Sequence, residues 1–168
     1  MMMEEWAPID GFPDYSISNY GYVQNNRTGR MMTRSPVQYG MLTVSMMYDG
    51  EQYRRSIATL VAQAFLPRPP RDDFNTPIHL DGDRKNCRVD NLEWRPRWFA
   101  INYHHERKQS PYPDWARDIR LNETGEVFGS MRDLAEKYGL LEREIHKGLV
   151  NGTEVFPQGF TFTFADVG

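Results

Sequence analysis

The string Pro77-Ile78-His79-Leu80-Asp81-Gly82-Asp83-Arg84-Lys85-Asn86, followed shortly by Asn91-Leu92-Glu93-Trp94, constrains this chain more than any other stretch. A short apolar run ends at a histidine, and Asp81-Gly82 then opens a turn into a polar loop. Strand and loop together occupy residues 76–95. Taken alone, His79 would be an ordinary polar residue at a strand end. Its meaning depends on what surrounds it.

The remaining chain is punctuated into short elements. Residues 41–48 read as a strand, and Asp49-Gly50 as a hairpin turn, because both central residues of a type I′ turn need positive φ. Residues 57–65 place apolar side chains at helical spacing, and Pro67, Pro69 and Pro70 stop that helix. From Trp98 to Tyr112 the chain reads as a helix and then a linker, broken at Pro111-Tyr112-Pro113. The adjacent His104 and His105 face different sides of that helix and are expected in solvent, not on a shared metal. Further on, residues 119–128 suggest a hairpin that turns near Thr124-Gly125. Ser130 and Asp133 form an imperfect capping box for a helix striped by Leu134, Ala135 and Tyr138 and ended by Gly139. A second helix from Glu142 to Leu149 closes at Asn151-Gly152, and residues 160–164 alternate as a final strand.

Three of these stretches carry a family resemblance. Residues 77–94 resemble the core of the HNH homing endonucleases, where Asp/Asn-His-Ile-Asp-Gly leads into a loop and an Asn-Leu-x-Trp segment. Trp6, Pro8, Ile9, Gly11, Phe12, Tyr15, Ile17, Ser18, Asn19, Gly21 and Val23 stand in the order of the small N-terminal module found beside many phage HNH endonucleases. The two C-terminal helices resemble the helix-turn-helix repeat that follows the core and reads duplex DNA with its second helix. The resemblance implies an α+β fold of three modules: an N-terminal nuclease-associated β module over 1–53, an HNH-like core of the ββα-metal type with its linker over 54–113, and a helix-turn-helix-like module with short strands over 114–168. It also implies an extended arrangement and an origin in a phage or other mobile element. One departure lies in the helix at 57–65, where Ala58 replaces the family's histidine.

Chemistry supplies sharper departures. An HNH nuclease needs a general base to activate water and a divalent cation to stabilise the phosphate and the leaving oxygen. His79 matches the base. The cation needs oxygen donors, which the family supplies just before the base and from the following helix. Those positions hold Ile78 and, counting with the family spacing, Ala100; neither side chain has a donor atom. Asn102 lies about 200° around the helix from Ala100, on another face. Asp81, Asn86 and Asn91 match positions that hold the turn, the loop and the helix entry. The expectation is therefore a vestigial base, no metal ligands and no cofactor, with Mg²⁺ or another divalent ion required only if the chain is active.

Charge is segregated along the chain. The net charge is -3, but residues 54–113 carry 11 basic and 7 acidic side chains, while residues 114–168 carry 6 and 10. Arg54, Arg55, Arg84, Lys85, Arg88, Arg95 and Arg97 flank the motif, and Arg143 and Lys147 lie on the second C-terminal helix; these are the candidate DNA contacts. Glu142 and Glu144 on that same helix argue against DNA and for a protein partner at the acidic terminal modules. The single Cys87 excludes an internal disulfide and a cysteine-based zinc knuckle. No apolar run approaches a membrane span of about 18 residues, and the first residues do not resemble a signal peptide, so a cytoplasmic protein of the host cell is expected. Three functions fit: a non-cutting, DNA-binding or regulatory descendant of an HNH homing endonuclease; a protein-binding adaptor or inhibitor on the same scaffold; and an active nicking enzyme using His79.

Overall fold

A computed structural model describes residues 2–165. The chain divides into two units: one runs up to His79 and includes Asp83–Arg97, and the other comprises Leu80–Gly82 and the chain from Trp98 onward. Both combine helices with small antiparallel sheets, which is the α+β class expected.

In the first unit β1 (Trp6–Ile9), β2 (Phe12–Ser18) and β3 (Val23–Asn25) form one sheet, in that order. β4 (Ser35–Pro36), β5 (Leu42–Tyr48) and β6 (Glu51–Ser56) form another. The two-residue strand period turns Tyr15 and Ile17 inward together. β5 and β6 are joined at Asp49 and Gly50, whose φ values of 49° and 77° are those the dipeptide was expected to supply. Ser56 Oγ accepts a bond from Thr59 N at 3.4 Å and so caps α1 (Ile57–Phe65). Ile57, Ala58, Leu60 and Val61 of α1 join Ile9, Phe12, Tyr15, Ile17, Val23, Val44 and Met46 in one core. Each fully buried aliphatic side chain there contributes about 1.5–3 kcal/mol. The pair β7 (Thr76–His79) and β8 (Leu92–Arg95) completes the unit, with Cys87 and Leu92 in the same core.

The second unit contains α2 (Arg97–Lys108) from Trp98 onward, β9 (Ile119–Leu121), β10 (Val127–Phe128), α3 (Met131–Tyr138), α4 (Glu142–Asn151) and β11 (Phe162–Phe164), with sheet order β10-β9-β11. Ser130 Oγ accepts from Asp133 N at 3.3 Å, and Gly139 ends α3 in the left-handed region, as the sequence signals require. Ile119, Leu121, Met131, Leu134, Leu140, Ile145 and Phe162 form its core. No helix among the described residues is long and apolar enough to cross a membrane.

The three-module division is revised at both boundaries. A cut after residue 53 would fall inside β6, which is bonded to β5 from Glu51 to Ser56. A cut after residue 113 would sever a buried ion pair, because Arg107 of α2 donates to Glu142 of α4 at 2.8 Å with both side chains almost wholly enclosed. Ser110 Oγ donates to the other oxygen of Glu142 at 2.9 Å, and Glu142 N donates to Glu106 Oε1 at 2.6 Å. Burial pushes the Glu106 carboxyl above its ordinary range, opposed by the backbone N–H of Glu142. Removing one member of such a pair leaves an uncompensated buried charge. Glu142→Ala is therefore expected to cost about 3–5 kcal/mol, read as a lowered urea midpoint, whereas the double variant Arg107→Met/Glu142→Leu should recover most of that loss.

Candidate nuclease-like site and its surface

In the β7–β8 pair Ile78 stands opposite Glu93 and His79 opposite Leu92. Ile78 has 0% of its surface exposed and His79 only 2%. The loop between the strands is built from its own polar residues. Lys85 N donates to Asp83 Oδ1 at 3.0 Å, and Asp81 beside it is exposed. Arg88 N donates to Asn86 Oδ1 at 3.4 Å, and Asn91 Nδ2 to Asn86 O at 3.0 Å. The two asparagines thus hold the loop, the role expected for them. Gly82 is needed for two reasons: its φ is +79°, and a Cβ there would lie 2.5 Å from Arg107 Cβ.

Cys87, read from sequence as a small loop side chain, is buried in the core beside the histidine, its Sγ 3.8 Å from His79 Nε2. Burial pushes the thiol up to about 11; Arg34 and Arg84 oppose this shift and Asp83 adds to it. The loop is also braced by the N-terminal sheet. Val89 N donates to Asn19 O at 2.9 Å, and Gly21, at φ +88°, comes so close that a Cβ would meet Cys87 Cβ at 3.1 Å. Asn19 is held in turn by Glu5 N, which donates to its Oδ1 at 2.8 Å, while Ser18 Oγ accepts from Tyr20 N and Tyr22 N. No local signal in the sequence announces these long-range contacts; the Ser-Asn-x-Gly order is their only trace.

The cation test fails on the donors. Ile78 is a buried hydrocarbon, and Ala100 on α2 is 2% exposed, so neither position offers an oxygen to a hard cation. Asn102 is exposed while Ala100 is buried, as two faces of one helix require. Among the described residues no group of three or more His, Cys, Asp or Glu side chains is placed to hold a metal ion. His105 is exposed and His104 half-buried on α2.

The candidate basic residues fall into different settings. Arg54 and Arg55 are exposed on β6, with the Arg55 guanidinium 5.3 Å from the Phe12 ring centre. Lys85 and Arg97 are exposed. Arg88 lies 4.3 Å over the Tyr20 ring and 3.6 Å from Asp90, and Arg84 is half-buried. Arg95 is the correction: it is only 5% exposed and donates to Trp94 O at 2.8 Å, so it is a structural cation, not a surface phosphate ligand. On α4, Arg143, Lys147, Val150 and Asn151 are exposed. Glu142, read as a surface carboxylate of that helix, instead points inward to Arg107. Glu144 is half-buried, 4.0 Å from Lys147.

Known proteins resemble this chain in parts of its sequence and in its fold. Residues 4–46 match the model of the NUMOD4 motif. An uncharacterized HNH endonuclease, L245 of Acanthamoeba polyphaga mimivirus, is 31% identical over 104 residues, covering 62% of this chain and 29% of that protein. The H-N-H endonuclease F-TflII of Escherichia phage T5 is 26% identical over 92 residues, covering 55% of this chain and 48% of that protein. The chain spans less than half the length of these curated relatives. Among solved structures, the HNH homing endonuclease I-HmuI, described in its DNA binding and cleavage, aligns over 98% of this chain and 99% of its own, with a TM-score of 0.54 and 21% identity.

Two outcomes follow from the buried site. Restoring a carboxylate by Ile78→Asp places it where no water reaches, and is expected to cost more than about 3 kcal/mol in urea unfolding. For Cys87 the folded value lies above the ordinary 9.0, so the neutral thiol contributes stability that is fully present below pH 9 and lost as pH rises through about 11. The stability difference between the native protein and Cys87→Ala should shrink by about 2 kcal/mol over that window, measured by urea unfolding at successive pH values.

Proposed function

We propose that this chain, a relative of the phage-type HNH homing endonucleases with their α+β fold and a NUMOD4 motif, binds double-stranded DNA without cutting it. The observation that carries the reading is the conversion of both cation positions into enclosed hydrocarbon, Ile78 and Ala100. His79 is enclosed as well, with a thiol beside its ring nitrogen, and has the setting of a polar core residue. A general base must reach the water it activates. No reaction step is derived through a cation that these residues do not fit.

The surface retains what DNA recognition uses. Arg143, Lys147, Val150 and Asn151 recur at helical spacing on the exposed side of α4, the second helix of a helix-turn-helix. Such a set can bond to phosphates and base edges and contact a thymine methyl. With Glu142 turned inward, the main argument for a protein partner at this helix loses one of its two carboxylates. The role that fits is a binding or regulatory factor of a phage or mobile element, whose site occupancy alone is its effect.

Binding to a random-sequence duplex should weaken linearly in log–log coordinates as salt rises, and the recovered duplex should be intact after incubation with Mg²⁺. Arg143→Ala and Lys147→Ala should each lower the salt slope by about 0.9. Nicked DNA would overturn the non-cutting reading, and no binding at low salt would favour a protein adaptor.

A further inference from the structure

Residues 15–48 contain Arg27, Arg30 and Arg34 and not one Asp or Glu, in a chain whose net charge is -3. This acid-free stretch includes the β4–β5 hairpin. The hairpin tip is tightly closed: Val37 N donates to Met41 O at 2.9 Å and Gly40 N to Val37 O at 3.0 Å. Tyr39 stands on the tip with φ 66° and ψ 17°, and 79% of its surface is in solvent. The left-handed region disfavours a bulky side chain, and glycine or asparagine would occupy it at lower cost. The ring recovers nothing by burial. Asp49, with the other positive φ among the described non-glycine residues, is a short polar residue in a turn that suits it. At Tyr39, then, backbone strain and aromatic exposure coincide. Strained, over-determined positions of this kind cluster at ligand contacts.

We propose that Tyr39 is a DNA-contacting residue whose ring stacks on a base of the bound duplex while arginines of the same stretch engage phosphate. The inference rests on the DNA-binding reading above and adds a contact in the N-terminal unit. Two features choose nucleic acid over a protein. The charged side chains of the stretch are all positive, complementary to a phosphate backbone, although Arg27 also lies 3.6 Å from Asp14. An exposed aromatic ring on a projecting tip reaches a duplex base by wedging into a step that it partly unstacks, and it needs no shaped pocket. Tyr22 and Met31 of the same stretch are also exposed, at 40% and 48%, and the Arg34 guanidinium lies 4.5 Å over the Tyr22 ring.

The test uses the full chain with Tyr39→Gly and Tyr39→Phe, a random-sequence duplex carrying 2-aminopurine, and thermal unfolding of each protein. Tyr39→Gly should melt a few degrees higher, because glycine accepts the backbone conformation. It should nevertheless bind about 5- to 100-fold more weakly, with loss of the 2-aminopurine fluorescence change that reports altered stacking. Tyr39→Phe, which keeps the ring, should bind like the native chain. A Tyr39→Gly protein that binds as tightly as the native one overturns the contact while leaving the DNA-binding reading intact. Failure of the native chain to bind at low salt sinks both.

Discussion

The turn Ser18-Asn19-Tyr20-Gly21 is the point on which the first unit depends. Its backbone carbonyl at Asn19 accepts from Val89, and its glycine lets the N-terminal sheet approach Cys87 within ordinary contact distance. Through Cys87 the same contact reaches His79. The N-terminal sheet and the histidine strand therefore share a core, and the loop between β7 and β8 is held from two sides: by Asn86 and Asn91 within it, and by Asn19 from outside. A side chain at Gly21 would have to displace Cys87 as well as adopt a strained backbone.

This arrangement holds the nuclease-like loop through its own residues and the turn packed against it. The loop asparagines, Gly82 and the braced thiol serve folding, and none of them requires a cation. Ile78 and Ala100 carry no oxygen donor and add buried apolar surface, which stabilises the fold. The second unit makes a related exchange with its buried Arg107–Glu142 pair, which ties α2 to α4 and fixes which face of α4 meets solvent. The Glu142 carboxylate is paired inside, and Arg143 and Lys147 are left outside.

Much of the fold was legible in the chain because its signals are local. Asp49-Gly50 demanded a hairpin, Pro67 to Pro70 bounded α1, Ser130 and Gly139 bracketed α3, and Asn151-Gly152 closed α4. Each depends on backbone preferences that act within a few residues. That Ile78 and Ala100 carry no oxygen atom was equally legible, since side-chain chemistry needs no coordinates. Module boundaries were not. They follow strand pairing and ion pairing between distant residues, which is why the cuts after residues 53 and 113 were misplaced. Arg95 and Glu142 looked like surface charges because charged residues usually are, and only their partners reveal otherwise.

By itself, then, the sequence determined the elements, the mixed α+β class, the relation to HNH nucleases and the absence of oxygen donors at two positions. The tertiary structure alone decided that His79 sits against a buried thiol, that Glu142 faces inward, that Arg95 is enclosed and that Tyr39 is strained and exposed. The physical reason is range. Turn and cap preferences are written in neighbouring residues, whereas burial and pairing are set by side chains brought together from distant parts of the chain.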